Sequence, residues 1–117
     1  MTEAPSPPPA SRESGLLRPV VAGVALIEGV TALFRFGLGL ESTRDTAATV
    51  GRLTGGIRIH HGYIGVLLLL IARRLVREGP ARRWALILGW SLALSDLIHH
   101  FVVLWLATGS PQFDLVY

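Results

Sequence analysis

Three long apolar stretches, separated by short polar connections, dominate the chain. They cover residues 16–40, 57–75 and 84–107. A helix needs about 20 mainly apolar residues to cross the roughly 30 Å hydrocarbon core of a bilayer. The first and third stretches reach that length, and the second reaches it if its helix begins earlier, near Val50. The pattern therefore predicts an all-α integral membrane protein, a bundle of three transmembrane helices.

The stretch before the first apolar run has a different character. Residues 1–15, MTEAPSPPPASRESG, are rich in proline and serine and show no apolar periodicity, which predicts a disordered tail. Residues 16–117 are too few for two domains of ordinary size. We expect them to form a single membrane domain.

Composition narrows the class of protein. Half of the residues are apolar and 16% are charged, against about 25% charged residues in a typical soluble domain, so lipid is the expected solvent. The chain has no cysteine, which excludes disulfides, thiolate metal sites and iron–sulfur clusters. All eleven cationic side chains are arginines that flank the apolar stretches. They are better explained by membrane topology than by nucleic-acid binding. The bias toward alanine, leucine and arginine suggests a bacterial inner or plasma membrane.

The arginines also predict an orientation. Short loops rich in arginine stay in the cytoplasm. The tail and the second connection lie on one side of a three-span protein and hold seven arginines, whereas the first connection holds three and the last segment none. We expect a cytoplasmic amino terminus and an exported carboxyl terminus. The seven are Arg12, Arg18, Arg73, Arg74, Arg77, Arg82 and Arg83.

Four histidines occur as two doublets, and both doublets fall in one predicted layer. His60 and His61 begin the second stretch, while His99 and His100 come late in the third. Because those helices are antiparallel, all four lie about 18–24 Å from the cytoplasmic edge at 1.5 Å per residue. Asp96 precedes the second doublet by three and four residues, so it shares a helix face with it.

The other ionisable groups of the apolar stretches reach a similar depth. Glu28 and Arg35 lie on one face of the first helix with Ala25 and Ala32, and Tyr63 follows the first doublet. A buried acid or arginine costs about 2.5–3.5 kcal/mol on insertion scales, so such residues turn inward, pair or mark a functional site. We expect Glu28 and Arg35 to balance charge, or to form a relay together with Tyr63.

Three functions fit these residues. Imidazole is the commonest metal ligand and a haem axial ligand. The first function is therefore a haem b or a copper, iron or zinc ion in a redox or accessory role, with His60, His61, His99, His100 and Asp96 as ligands. The second is a proton or ion relay, or a lipid- or quinone-binding site, without a cofactor. The third is a non-catalytic assembly subunit that packs on other membrane subunits or on copies of itself. No nucleophilic triad or phosphate-binding loop is present, and the sequence leaves open whether the protein is an enzyme.

Overall fold

The computed structural model of the chain describes residues 14–117. Most of the predicted tail, residues 1–13, lies outside this range, and the first helix begins at Ser14, slightly before the predicted span. The described residues are mainly helical and contain no strand, as the apolar periodicity predicts; Ile57 and Val116 form one isolated antiparallel bridge. The helices are α1 (Ser14–Ala32), α2 (Ser42–Asp45), α3 (His61–Arg74), α4 (Pro80–Ile98) and α5 (Trp105–Thr108).

Three π-helical turns extend or connect these helices. Leu33–Gly37 prolongs α1, Ala47–Gly51 follows α2, and His99–Leu104 joins α4 to α5. A π-helical turn is wider than an α-helical one and is frequently found at functional sites. The third turn contains a histidine doublet, and the first contains Arg35.

Two helices are long and apolar enough to cross a membrane. They are Gly15–Gly37, with 23 residues, and Pro80–Thr108, with 29 residues. The predicted span at residues 57–75 is not confirmed, because α3 has 14 residues, about 21 Å of helix. Its helix does not begin near Val50 because Gly55 and Gly56 adopt φ of 67° and 88°, which ends helical structure at that point. Residues 57–60 are non-helical instead.

Helix α4 lies between the other two long helices and contacts both. No Cα atom of α1 comes within 8 Å of one in α3. At Gly65 of α3, an added Cβ atom would lie 2.6 Å from the backbone nitrogen of Ala93 and 2.7 Å from the carbonyl oxygen of Gly89. Small residues thus allow close helix contact, as they do in membrane proteins generally. On the α1–α4 seam, an added Cβ at Gly23 would clash with Ser91 Oγ. On the predicted polar face of α1, Glu28 contacts His99, whereas Ala25 is exposed.

The last residues fold back toward the start of α3. Gly109 ends α5 with φ of 75°, the left-handed conformation that favours glycine at a helix end. Residues 109–117, which we name the strap, then run across the end of the bundle. The amide of Arg58 donates to the carbonyl of Leu115 at 3.0 Å, and that of Tyr117 donates to the carbonyl of Gly56 at 3.0 Å. The strap is therefore part of the folded protein.

Burial is inverted relative to that in a water-soluble protein. The buried apolar residues are Val20, Ala72, Ile87 and Leu104, whereas the buried polar and charged residues are Arg58, His60, Ser91, Ser95, Asp96, His99 and His100. Among the described residues, thirty large apolar side chains are exposed. Helices that keep polar groups inside and apolar groups outside suit a lipid environment.

Candidate metal centre

The polar groups meet where α4 ends, α3 begins and the strap crosses both. His60 directly precedes α3 in an extended conformation, with φ of −88° and ψ of 142°. Asp96 lies in the last turn of α4, and His100 lies in the π-helical turn that follows. All three side chains are buried. Residues from two helices, far apart in sequence, thus form one cluster.

Three donor atoms of this cluster converge. His60 Nδ1 lies 3.1 Å from His100 Nε2, and Asp96 Oδ1 lies 3.8 Å from each of these two nitrogens. The point equidistant from the corners of this triangle lies about 2.1 Å from each atom, and Zn–N and Zn–O bonds measure about 2.0–2.2 Å. The three atoms are therefore spaced to hold one metal ion.

The outer nitrogen of each imidazole faces a backbone carbonyl. His60 Nε2 lies 3.0 Å from the carbonyl oxygen of Asp114, and His100 Nδ1 lies 2.8 Å from that of Pro111. A carbonyl oxygen only accepts hydrogen bonds, so each outer nitrogen must carry its proton and donate it. In neutral imidazoles the inner nitrogens, His60 Nδ1 and His100 Nε2, then both present lone pairs. Two lone pairs 3.1 Å apart repel each other unless a cation lies between them.

The Asp96 carboxylate adds a third lone-pair donor to the same point. Oδ1 is buried and has no hydrogen-bond partner among the described residues. His61 Nδ1 is 3.3 Å away, but the pair lacks hydrogen-bond geometry. A buried carboxylate oxygen without a donor is costly, and a bound cation removes that cost. Gly62 permits the close approach, because a Cβ there would lie 2.6 Å from Asp96 Oδ2.

The remaining two predicted ligands lie beside the cluster and not in it. His99 Nδ1 is 2.9 Å from Glu28 Oε1 on α1, and Ser95 Oγ donates to the same carboxylate at 3.5 Å. His61 lies near Asp96 and is partly exposed. The structure therefore separates the two members of each doublet: His60 and His100 meet, whereas His61 and His99 do not join them.

The residues predicted to balance charge have other roles in the structure. Arg35 forms an ion pair with Glu41 at 2.8 Å and donates to Gln112 Oε1 at 3.1 Å. It therefore joins α1 to the strap and to the first connection, which in the structure comprises residues 38–60. Glu28 pairs with His99, as stated above. The Tyr63 ring meets His60 edge-on, with ring centroids 5.3 Å apart.

A cavity of about 340 Å³ opens beside the cluster. All four histidines and Asp96 line it, together with residues of α1, of the first connection and of the strap. Arg58 in its wall is buried and lies 3.4 Å from Asp114 Oδ2. Asp45 lies at the exposed rim, where the hydrogen bond from the Arg44 guanidinium lowers the pKa of the carboxyl. The charged residues of the first connection that line the cavity are therefore paired.

The strap contributes to the site in a way that sequence reasoning missed. Phe113 stacks on the His60 ring, with centroids 4.3 Å apart and planes 20° apart, and meets the His100 ring edge-on at 5.1 Å. Its neighbours supply the two carbonyls that fix the imidazole protons. The segment TGSPQFDLVY has no apolar periodicity, so the one available signal was an aromatic residue between turn-forming residues.

Comparison with protein-family models, with curated proteins and with solved structures finds no match to this chain. The case for function therefore depends on the chemistry of the site. Two imidazole nitrogens and one carboxylate oxygen form a donor set that suits zinc, copper, iron or nickel.

Proposed function

We propose that this protein is an integral membrane protein that binds a divalent metal ion of the zinc type through His60, Asp96 and His100. The observation that carries the proposal is the convergence of three lone pairs at one buried point. Two of them are directed there by backbone carbonyls that hold the imidazole protons on the opposite side. Such carbonyl partners of ligand histidines are a regular feature of metal sites, where they fix the tautomer.

The spacing of the donors favours zinc over a metal with octahedral preference. For bonds of about 2.1 Å, neighbouring ligands lie about 3.0 Å apart in an octahedron and about 3.4 Å apart in a tetrahedron. Two sides of the observed triangle measure 3.8 Å and the third measures 3.1 Å, so the mean spacing lies nearer the tetrahedral value. Zinc has no redox chemistry, so we propose a Lewis-acid or structural role and not electron transfer.

The same spacing argues against a haem between the two imidazoles. A haem with two histidine ligands places the porphyrin plane between the two ligand nitrogens. His60 Nδ1 and His100 Nε2 are in direct contact at 3.1 Å, which leaves no room for that plane. A haem would require the two helices to move apart and the strap to release both rings.

We propose that the chain crosses the membrane three times, with the amino terminus in the cytoplasm. Gly15–Gly37 and Pro80–Thr108 have the length to cross. The shorter α3 packs along α4 over its whole length, and the residues before it extend the crossing toward the outer face. The arginines of the α3–α4 connection then lie in the cytoplasm, as the positive-inside rule requires, and the metal centre lies near the outer leaflet.

The test is metal binding by the full chain purified in detergent. We expect one zinc per chain, and a cobalt(II) titration that gives visible d–d bands of a four-coordinate site. His60→Ala should weaken cobalt binding by more than about 100-fold because it removes a ligand. His61→Ala is the matched control, because it removes the neighbouring imidazole, which lies near Asp96 but outside the three-donor group, and it should lose far less affinity than His60→Ala.

Two results would overturn the proposal. One is wild-type protein that binds neither zinc nor cobalt, which would leave the two imidazoles as a pair sharing a proton. The other is equal metal content in the wild type and in His60→Ala.

A further inference from the structure

The cavity beside the cluster touches every proposed ligand of the metal. His60, Asp96 and His100 all line its wall. It lies between α1 and α3, which both pack on α4 while no Cα atom of one comes within 8 Å of a Cα atom of the other. The first connection and the strap close the cavity at the outer end. Its volume, about 340 Å³, lies at the lower end of the range for small-molecule sites.

The arrangement of the donors leaves coordination positions open. The point about 2.1 Å from all three atoms, close to the bond lengths of zinc, lies in the plane of the triangle. The three donors fill three positions of a four-coordinate ion, and no fourth donor atom among the described residues joins them. Three protein ligands plus an exchangeable position is the pattern of catalytic zinc sites, whereas structural sites are closed by four protein ligands.

The charges around the cavity point to the kind of ligand that would fill this position. Arg35 pairs with Glu41, Arg58 with Asp114, and Arg44 with Asp45, so these groups cancel. Glu28 pairs with His99 at 2.9 Å, an ion pair that is neutral when the imidazole is protonated, and Glu28 does not line the cavity. A divalent ion with the Asp96 carboxylate carries one positive charge, and a monoanion bound to the ion would neutralise it in surroundings that disfavour net charge.

The apolar part of the wall suggests the rest of the ligand. Phe34 from the π-helical turn after α1, Leu40 from the first connection and Leu104 from the π-helical turn after α4 line the same cavity. We propose that this cavity binds a small carboxylate with a short apolar chain, whose oxygen coordinates the metal ion at the position facing the cavity. This inference depends on the proposed metal site.

The experiment uses butyrate as the probe and the cobalt(II)-loaded full chain as the reporter. We expect butyrate to shift the visible d–d bands in a saturable way, because its oxygen enters the coordination shell. Butyramide has nearly the same shape without the charge and should bind at least about 10-fold more weakly, a difference of about 1.4 kcal/mol.

A substitution that fills the cavity tests whether butyrate binds there. Thr31 lines the cavity from α1, and Thr31→Phe should abolish the butyrate response while cobalt still binds. Val30→Phe introduces the same ring one residue earlier on α1, where the side chain is 44% exposed and does not line the cavity; it should respond like the wild type. If Thr31→Phe does not fold, Leu40→Trp fills the cavity from the first connection.

The outcomes separate the two proposals. Cobalt binding without any spectral response to butyrate overturns the carboxylate site and leaves the metal site standing. A butyrate response that persists in the cavity-filled variant overturns the location. Failure of the wild type to bind cobalt overturns the proposed function itself.

Discussion

At the scale of single residues, the protons on His60 and His100 decide what the cluster can bind. The carbonyls of Asp114 and Pro111 accept hydrogen bonds from the outer nitrogens, so both inner nitrogens present lone pairs, 3.1 Å from each other and 3.8 Å from Asp96 Oδ1. Removing a carbonyl partner would let an imidazole change tautomer and turn a donor atom into an N–H group. The backbone of the strap thus fixes which imidazole nitrogens are free to bind a metal.

Gly62→Ala tests how closely α3 must approach Asp96. The new Cβ would lie 2.6 Å from Asp96 Oδ2 and 2.9 Å from Asp96 Cβ, so the carboxylate must move. We expect cobalt affinity to fall about 10-fold or more. The free energy of unfolding should fall by about 1–3 kcal/mol, the usual cost of overpacking. Gly29→Ala is the control, since nothing lies within 4 Å of its added Cβ; it should bind metal normally and be no less stable. Unchanged cobalt affinity in Gly62→Ala would contradict the observed contact.

The sequence predicts the layer of residues at the site but not their pairing. Two histidine doublets and Asp96 in antiparallel helices indicate a shared depth, and the cluster His60, Asp96 and His100 lies within that set. Which member of the second doublet joins it depends on a π-helical turn that begins at His99. No periodicity in the sequence predicts that turn. His99 consequently meets Glu28 on α1, while His100 meets His60.

At the scale of elements, the strap is held at both ends and covers the cluster in between. Gly109 turns the chain back, and the Tyr117 hydroxyl lies 3.0 Å from Thr46 Oγ1 on the first connection. An added Cβ at Gly51 would lie 3.0 Å from the Tyr117 ring, so that ring packs directly against the backbone. This anchoring keeps Pro111 and Asp114 in position for the two imidazoles.

Phe113→Ala tests the strap as a positioning element. Phe113 stacks on His60 without touching the proposed ion, so its loss should loosen the ring and the adjacent carbonyls. We expect cobalt to bind about 10-fold more weakly, the size of effect seen when a partner of a metal ligand is removed. The helical content measured by circular dichroism should stay the same.

The control for this variant is Leu115→Ala. The Leu115 side chain is 61% exposed, and the residue contributes its carbonyl to Arg58 through the backbone. It should therefore leave cobalt affinity unchanged. Equal losses in both variants would mean that the strap acts only through general stability.

The sequence predicts the first and third helices better than the second. The first and third helices follow from long, mainly apolar runs, and both have the length of a membrane span. The second stretch is ambiguous because Gly55 and Gly56 stop the helix before it and the Ile57–Val116 bridge holds the next residues extended. That bridge joins residues far apart in sequence, so local patterning could not reveal it.

At the scale of the whole molecule, the two ends of the bundle differ in chemistry. One end holds the cluster, the cavity and the strap, and the other holds the basic connection between α3 and α4. Arg73 and Arg74 close α3, and Arg82 and Arg83 lie in the first turn of α4. A membrane that keeps arginine-rich loops in the cytoplasm would place the metal centre at the outer face.

Single-cysteine labelling tests this arrangement directly, and the absence of native cysteine makes each introduced thiol the only target. With a membrane-impermeant maleimide on intact cells, we expect Leu115→Cys and Leu53→Cys to react, and Glu78→Cys to react only after the membrane is permeabilised. Leu53 is 88% exposed and precedes α3, so it reports whether that short helix crosses. If Leu53→Cys behaves like Glu78→Cys, α3 does not cross and the protein has two spans at most. If all three responses are reversed, the protein has the opposite orientation, and the metal centre would draw its ion and its small ligand from the cytoplasm.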